Sequence, residues 1–287
     1  MTSSLLAVRR IGLLAILAYC MAVSLAAGGA SDESKRVAKF NNMSFGAHHL
    51  YPGGGVVLSV DALSLPGERI MALTFDDGPE EQDLGVAALL QRYNIPATFF
   101  FIGRKAETTP DIVQKIKATG QEIGYHSYRH QRLSWFSPTN LTEDFRRGKT
   151  IMDNLGVTLT WFRPPYGEFN AQVVKTAKEQ GMETINWTID SRDWTGVSAP
   201  TMARNVIRQF HPGAVLLFHS THAATLQALP TVVEAAAQGN YHFVSLDEWR
   251  QTIQTANCRM QKQFCPVPTP VDVTTSDVVP ASSNLIR

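Results

Sequence analysis

The chain has 287 residues, with 26 Lys and Arg against 25 Asp and Glu, and 44% of it is hydrophobic. A near-neutral balance without a basic block excludes the electrostatic footprint of a nucleic-acid binder or of a protein held on an anionic membrane. Three cysteines are too few for a disulfide-built scaffold, and the length suits one α/β barrel or two small domains.

The first segment in chain order is a processing signal. Arg9-Arg10 precede an apolar run from Ile11 to Ala18, and small residues follow from Ser24 to Ala30. A charged segment, an apolar segment and a small-residue zone in that order form a secretory signal peptide. Residues 1–30 are therefore expected to be removed and the protein exported, to the periplasm, cell wall or extracellular space. An uncleaved anchor would need about 20 apolar residues, and the run from Ile11 to Leu25 is short. Tyr19 stands where a lipoprotein site would place a small residue before Cys20. Cleavage removes two basic and no acidic residues, which leaves the mature chain with one net negative charge. It is expected to be a monomer with no membrane span.

Residues 31–66 are rich in Gly, Ser and Asn without a clear period, and Pro52-Gly53-Gly54-Gly55 is a breaker cluster. They read as an N-terminal extension. Residues 67–255 form the main domain of the expected layout. There, apolar runs at 71–75, 97–102, 122–125, 160–162, 184–189, 214–218 and 242–244 read as strands alternating with helices. Thr109-Pro110-Asp111 is a helix start, Gly120, Gly156 and Gly181 are helix stops, and Ser245-x-x-Glu248 is a capping pattern. Such alternation implies a mostly parallel sheet or barrel whose site lies at the strands' C-terminal ends. Residues 256–287 read as an irregular tail. Cys258 and Cys265 lie close together within it and are expected to form a local disulfide after export.

The polar residues fall where a barrel site would be. Thr74-Phe75-Asp76-Asp77-Gly78-Pro79 ends the first strand with two adjacent carboxylates. Both ionise comfortably only beside a cation, which suggests one Asp on a metal and its neighbour free as a base; ordinary Asp-Gly-Pro turn chemistry would also produce the sequence. His126 and His130 follow the 122–125 strand, four residues apart. On a helical turn that spacing puts both imidazoles on one face. With Asp77 they make a His-His-carboxylate set that leaves positions open for water and substrate. Arg163 could pair with a site carboxylate and orient Asp76. Pro164-Pro165 would stiffen the loop that carries the Tyr166 N–H. Asp193-Trp194 supplies a carboxylate and an indole, and the indole taken alone reads as core. His219 ends an apolar strand, where a satisfied core histidine is the default. Arg129, inside the His-x-x-x-His segment, is expected to point outward, to a carboxylate or an anionic substrate group.

Taken in order, Thr74–Pro79, His126-Ser127-x-x-His130, Arg163-Pro164-Pro165-Tyr166-Gly167, Asp190-Ser191-x-Asp193-Trp194 and Leu217-Phe218-His219 resemble the motifs of the polysaccharide deacetylases, carbohydrate esterase family four. The resemblance covers residues 67 to 255. It implies a distorted seven-stranded (β/α) barrel and a metal-dependent hydrolase that removes N-acetyl groups from a polysaccharide or oligosaccharide such as peptidoglycan or chitin. The alternative it leaves is an O-acetyl esterase on a glycan such as xylan; a non-catalytic glycan-binding protein is a third. By position, Asp76 resembles the catalytic base, and Asp77, His126 and His130 the ligands of one divalent ion, zinc or its substitute cobalt. Arg163 is similar to the arginine that positions the base. Tyr166 resembles the backbone donor to the oxyanion, after Pro165 in the same substrate-binding loop. Trp194 and Leu217 resemble walls of the acetyl and sugar pocket, and His219 the general acid. Asp193 would orient His219 or pair with Arg163, and the sequence leaves both open.

Overall fold

The computed structural model describes residues 69–261, together with strands β1 (His49–Leu50) and β2 (Val56–Leu58). The signal-peptide segment, Cys265 and residues 262–287 lie outside the described residues, and with them the expected disulfide.

Strand β3 (Ile70–Gly78) organises the domain, and its alternation decides which residues reach the site. Met71, Leu73 and Phe75 belong to the core between the sheet and its helices, with Phe99, Phe101, Phe145 and Phe218. Ile70 and Ala72 face a second core with Phe100, Trp161, Ile185 and Val215. Successive strand residues face opposite sides, so Thr74 and Asp76 continue the row of Ile70 and Ala72. Helix α8 (Leu246–Gln261) closes the other end of this row with Leu246, Trp249 and Ile253, and Trp249 Nε1 donates to the Gly213 carbonyl (3.0 Å).

Among the described residues all strand pairings are parallel except β1 with β2. One edge of β3 pairs with β9 (Ala214–His219). Its other edge pairs first with β10 (His242–Val244) and then with β4 (Thr98–Phe101). From β4 the sheet continues through β5 (Glu122–Tyr125), β6 (Trp161–Phe162) and β7 (Glu183–Ile185) to β2 and β1. Beyond β9 it ends at β8 (Ile189–Asp190). The seven expected strand positions form a (β/α) half-barrel.

Four features differ from the sequence reading. The run 184–189 is two short strands, not one. Asn186-Trp187-Thr188 crosses from β7, beside β6, to β8, beside β9. Strands β1 and β2 lie in the segment that showed no period, with β2 paired to β7. The last helix runs to Gln261, past the boundary drawn at 255. Thr109 does precede a helix that begins with Pro110, but its hydroxyl donates to the Lys105 carbonyl (2.9 Å) instead of capping.

Helix α4 (Pro138–Asn154) braces the loop after β5. A Cβ on Gly148 would collide with the Tyr125 ring, so glycine lets the helix approach closely. Asp144, on the same helix, accepts the Tyr125 hydroxyl (2.7 Å) and the Tyr128 N–H (3.1 Å). Burial pushes its carboxyl up to about 6, against the hydrogen bonds from Tyr125 and Tyr128. The sign follows: a raised folded pKa gives stability that is present below the unfolded value of 3.8 and lost as pH rises toward about 6. Folding stability should therefore fall by up to about 3 kcal/mol across that window through this group. Asp144→Asn keeps an acceptor but cannot titrate, so urea midpoints measured from pH 4 to 7 should vary less in the variant. Identical slopes would show that the group does not titrate in this window.

Candidate active site

The site sits on the C-terminal ends of the strands. Adjacent strand residues face opposite sides, so Asp76 and Asp77 could not both reach it from a regular strand. A bulge solves this. The β3–β4 register jumps from Asp76 to Gly78, and Asp77 takes a left-handed backbone (φ 75°) that turns its carboxylate back toward the histidines.

Asp76 Oδ1 accepts from Arg163 Nη1 (2.8 Å). Arg163 is wholly buried, and each of its nitrogens donates: Nη1 also to Thr74 Oγ1 (2.7 Å), Nη2 to the Asn186 carbonyl (3.1 Å) and Nε to the Ile185 carbonyl (3.3 Å). The guanidinium thus spans the seam between β3 and the crossing from β7 to β8. Burial lowers its pKa, and Asp76 opposes that shift through charge and hydrogen bond. A buried charge so fully bonded is a positioning device, and breaking one side of such a pair costs about 3–5 kcal/mol.

Asp77 Oδ1 lies 3.4 Å from His126 Nε2 and 3.2 Å from His130 Nε2. The two imidazoles converge through a loop rather than the expected helical turn. Ser127 (φ 62°) and His130 (φ 53°) are left-handed, and Ser127 Oγ accepts the His130 N–H (2.8 Å). His126 Nδ1 lies 2.8 Å from the Arg163 carbonyl, which can only accept, so Nδ1 carries the proton and Nε2 presents its lone pair.

Asp77 Oδ1 is buried and lacks a hydrogen-bond partner, which for a polar atom costs about 1–3 kcal/mol. One donor atom each from Asp77, His126 and His130 fall within 4.8 Å of one another. Burial pushes the Asp77 carboxyl up, but the close approach of His126 and the charges of His126, His130 and His219 outweigh it and hold it well below the usual range. Burial and His126 lower His130. An ionised carboxylate and neutral imidazoles are the states a divalent cation requires, so the residues fit the expected ion.

On the other flank, His219 Nδ1 contacts Asp193 Oδ1 (2.7 Å), and Asp193 Oδ2 accepts the His219 N–H (2.6 Å) and the Thr225 hydroxyl (2.8 Å). The pairing left open by the sequence is resolved: Asp193 holds His219 and Arg163 holds Asp76. Burial lowers the His219 pKa, but the Asp193 hydrogen bond and the charges of Asp193, Asp76 and Asp77 outweigh it and raise it to about 9. Its Nε2 faces Asp77 Oδ2 at 4.0 Å.

Trp194 is 55% exposed, which excludes the core position its indole taken alone would suggest, while Leu217 and Pro165 are buried. Tyr166 is left-handed (φ 60°, ψ 10°), and its half-exposed ring stands edge-on to His130 at 4.7 Å. Arg129 is exposed, as expected, and lies 5.5 Å over the Tyr128 ring. Sequence reasoning missed Thr74, Ser127, Asp144 and Thr225. Of these, Thr74 and Ser127 carried a signal: Thr74 stands two residues before Asp76 on the same strand face, and Ser127 stands between the two histidines of its motif.

This fold and site define a β/α half-barrel in which three residues that could hold a cation are flanked by an Asp–Arg and an Asp–His pair. The Polysaccharide deacetylase family model matches residues 65–185. A peptidoglycan-N-acetylglucosamine deacetylase of Bacillus cereus is 37% identical over 188 residues, 63% of this chain and 68% of that protein. The peptidoglycan-N-acetylglucosamine deacetylase PgdA of Listeria monocytogenes is 32% identical over 222 residues, 77% of this chain, and the match spans about half of that relative (47%). The solved structure of a CE4 family pseudoenzyme from Bacillus anthracis superposes with a TM-score of 0.61 at 27% identity, covering 64% of this chain and 66% of that one. The chain belongs to the polysaccharide deacetylase family, and its fold is that of the CE4 structures.

Proposed function

We propose that the protein is an exported, metal-dependent hydrolase that removes N-acetyl groups from an N-acetylglucosamine polymer, peptidoglycan or chitin-like, and releases acetate. The observation that carries this reading is the placement of Arg163–Asp76 and Asp193–His219 on either side of Asp77, His126 and His130. The relatives named as peptidoglycan deacetylases support the substrate class.

A divalent ion held by Asp77, His126 and His130, zinc or cobalt by its nitrogen and oxygen donors, would supply Lewis acidity to the acyl carbonyl and to a water. Asp76, pinned at Oδ1 by Arg163, keeps Oδ2 for the proton of the water that attacks the amide carbon. The Tyr166 N–H, aimed by its left-handed turn, is assigned as donor to the oxyanion. His219 gives its proton to the sugar nitrogen as the C–N bond breaks, since an amine anion is too basic to leave. Asp193 stabilises the imidazolium. Pro165, Trp194 and Leu217 are assigned to the walls around the acetyl group and the sugar. No helix among the described residues is long and apolar enough to cross a membrane, and we place a monomer outside the cytoplasm.

The test of the acid is His219→Ala. The raised pKa predicts that N-deacetylation falls on the alkaline side, and the variant should lose that limb. Its metal content should stay unchanged, and its loss on an N-acetyl amide should exceed that on an activated acetyl ester, whose leaving group needs little protonation. Equal losses on both substrates would make His219 structural. The same comparison separates the amidase from an O-acetyl esterase, which would tolerate the substitution on its own substrate.

A further inference from the structure

Beside His130 the rim of the site opens into a cleft of about 450 Å³, lined by Ile102, Arg104, Lys105, Thr108, Arg129 and His130. Among the described residues three cationic side chains line it and no carboxylate does. Lys105 is committed: its ammonium donates to the Asp77 carbonyl (2.7 Å) and pairs with Glu80. Arg104 and Arg129 are exposed, and among the described residues neither has an ion-pair partner within 4 Å. Glu107, whose carboxyl senses Arg104, is occupied by the Tyr128 hydroxyl (2.6 Å) and by Arg147 (3.2 Å).

The backbone fixes this rim. Helix α2 (Gly103–Thr108) begins where the Gly103 and Arg104 N–H groups donate to the Ser127 and Tyr128 carbonyls (3.0 and 2.9 Å). Those carbonyls belong to the loop between His126 and His130. Arg104 and Arg129 are thus carried on two segments clamped together, one of which holds two of the proposed metal ligands. A surface that needed only solubility would not require two unpaired guanidinium groups at one mouth of the site. Guanidinium groups bind carboxylates with paired, directional hydrogen bonds.

We propose that Arg104 and Arg129 form a carboxylate subsite that selects glycans bearing an acid on the sugar beside the one deacetylated. Among N-acetylglucosamine polymers that describes peptidoglycan strands freed of their stem peptides, whose muramic residues carry a free lactyl carboxylate, and neither peptide-substituted strands, where that group is a neutral amide, nor neutral chitin. The proposal rests on the deacetylase reading above. Exposed charge pairs are weak individually, so two arginines should be worth about fivefold to tenfold in kcat/KM.

The test uses three substrates: neutral chitooligosaccharide, peptide-free glycan strands with free lactyl carboxylates, and the same strands after amidation of those carboxylates. The zinc-loaded chain should prefer the free-acid strands over the amidated ones by that factor. The Arg104→Gln/Arg129→Gln double variant should erase the preference, and raised ionic strength should compress it in the native chain. Equal kcat/KM for free and amidated strands, or a preference that survives in the double variant, overturns the subsite while leaving the deacetylase reading intact. No acetate from any of the three substrates overturns both.

Discussion

His126→Ala or His130→Ala is expected to take the divalent ion from the protein and abolish acetate release. Each variant removes one of three ligands whose donor atoms already lie within 4.8 Å of one another, and two remaining donors hold a divalent ion poorly. The orphaned Asp77 Oδ1 indicates how much the site depends on the cation, because that buried oxygen has no other partner. Chelation of the native chain should have the same effect, with zinc or cobalt restoring the native chain but neither variant. Metal content by mass spectrometry beside the rate separates loss of the ion from loss of fold.

Asp76→Asn is expected to keep the ion and lower turnover by about 10²–10⁴-fold, the usual cost of removing a general base. Asparagine still offers Arg163 a carbonyl oxygen, so the buried guanidinium keeps a partner, whereas alanine would strand it. A lower melting temperature with the ion retained fits this picture. If Asp76→Asn lost the ion and Asp77→Asn kept it, the two carboxylates would have to exchange roles.

The residues around the proposed ion were legible in the sequence because each sits at or just past a strand end, and strand ends are marked by apolar runs that stop abruptly. Asp76, Asp77, His126, His130, Arg163, Asp193 and His219 all meet within this constellation. What could not be read is what depends on the third dimension. The 184–189 run contains no breaker, yet it divides because the chain must cross from β7 to β8, and the carbonyls at that crossing are taken by Arg163. Strands β1 and β2 are two and three residues long, and β2 is set by pairing with β7 rather than by local propensity. The four-residue histidine spacing suggested a helix, but left-handed residues at Ser127 and His130 achieve the same convergence. The choice of Asp193 for His219 follows from the β8–β9 pairing, which composition does not reveal. Asp144 lies in a polar helix many residues from the motif it supports, so only the fold brings it there.

The most direct measurement is acetate release, by mass spectrometry, from peptidoglycan, chitooligosaccharides and acetylxylan in parallel, using chelator-stripped and zinc-restored protein. The account predicts acetate from an N-acetylated glycan, lost on stripping and recovered with zinc. Undiminished release by the metal-free protein, or acetate from acetylxylan alone, would contradict it.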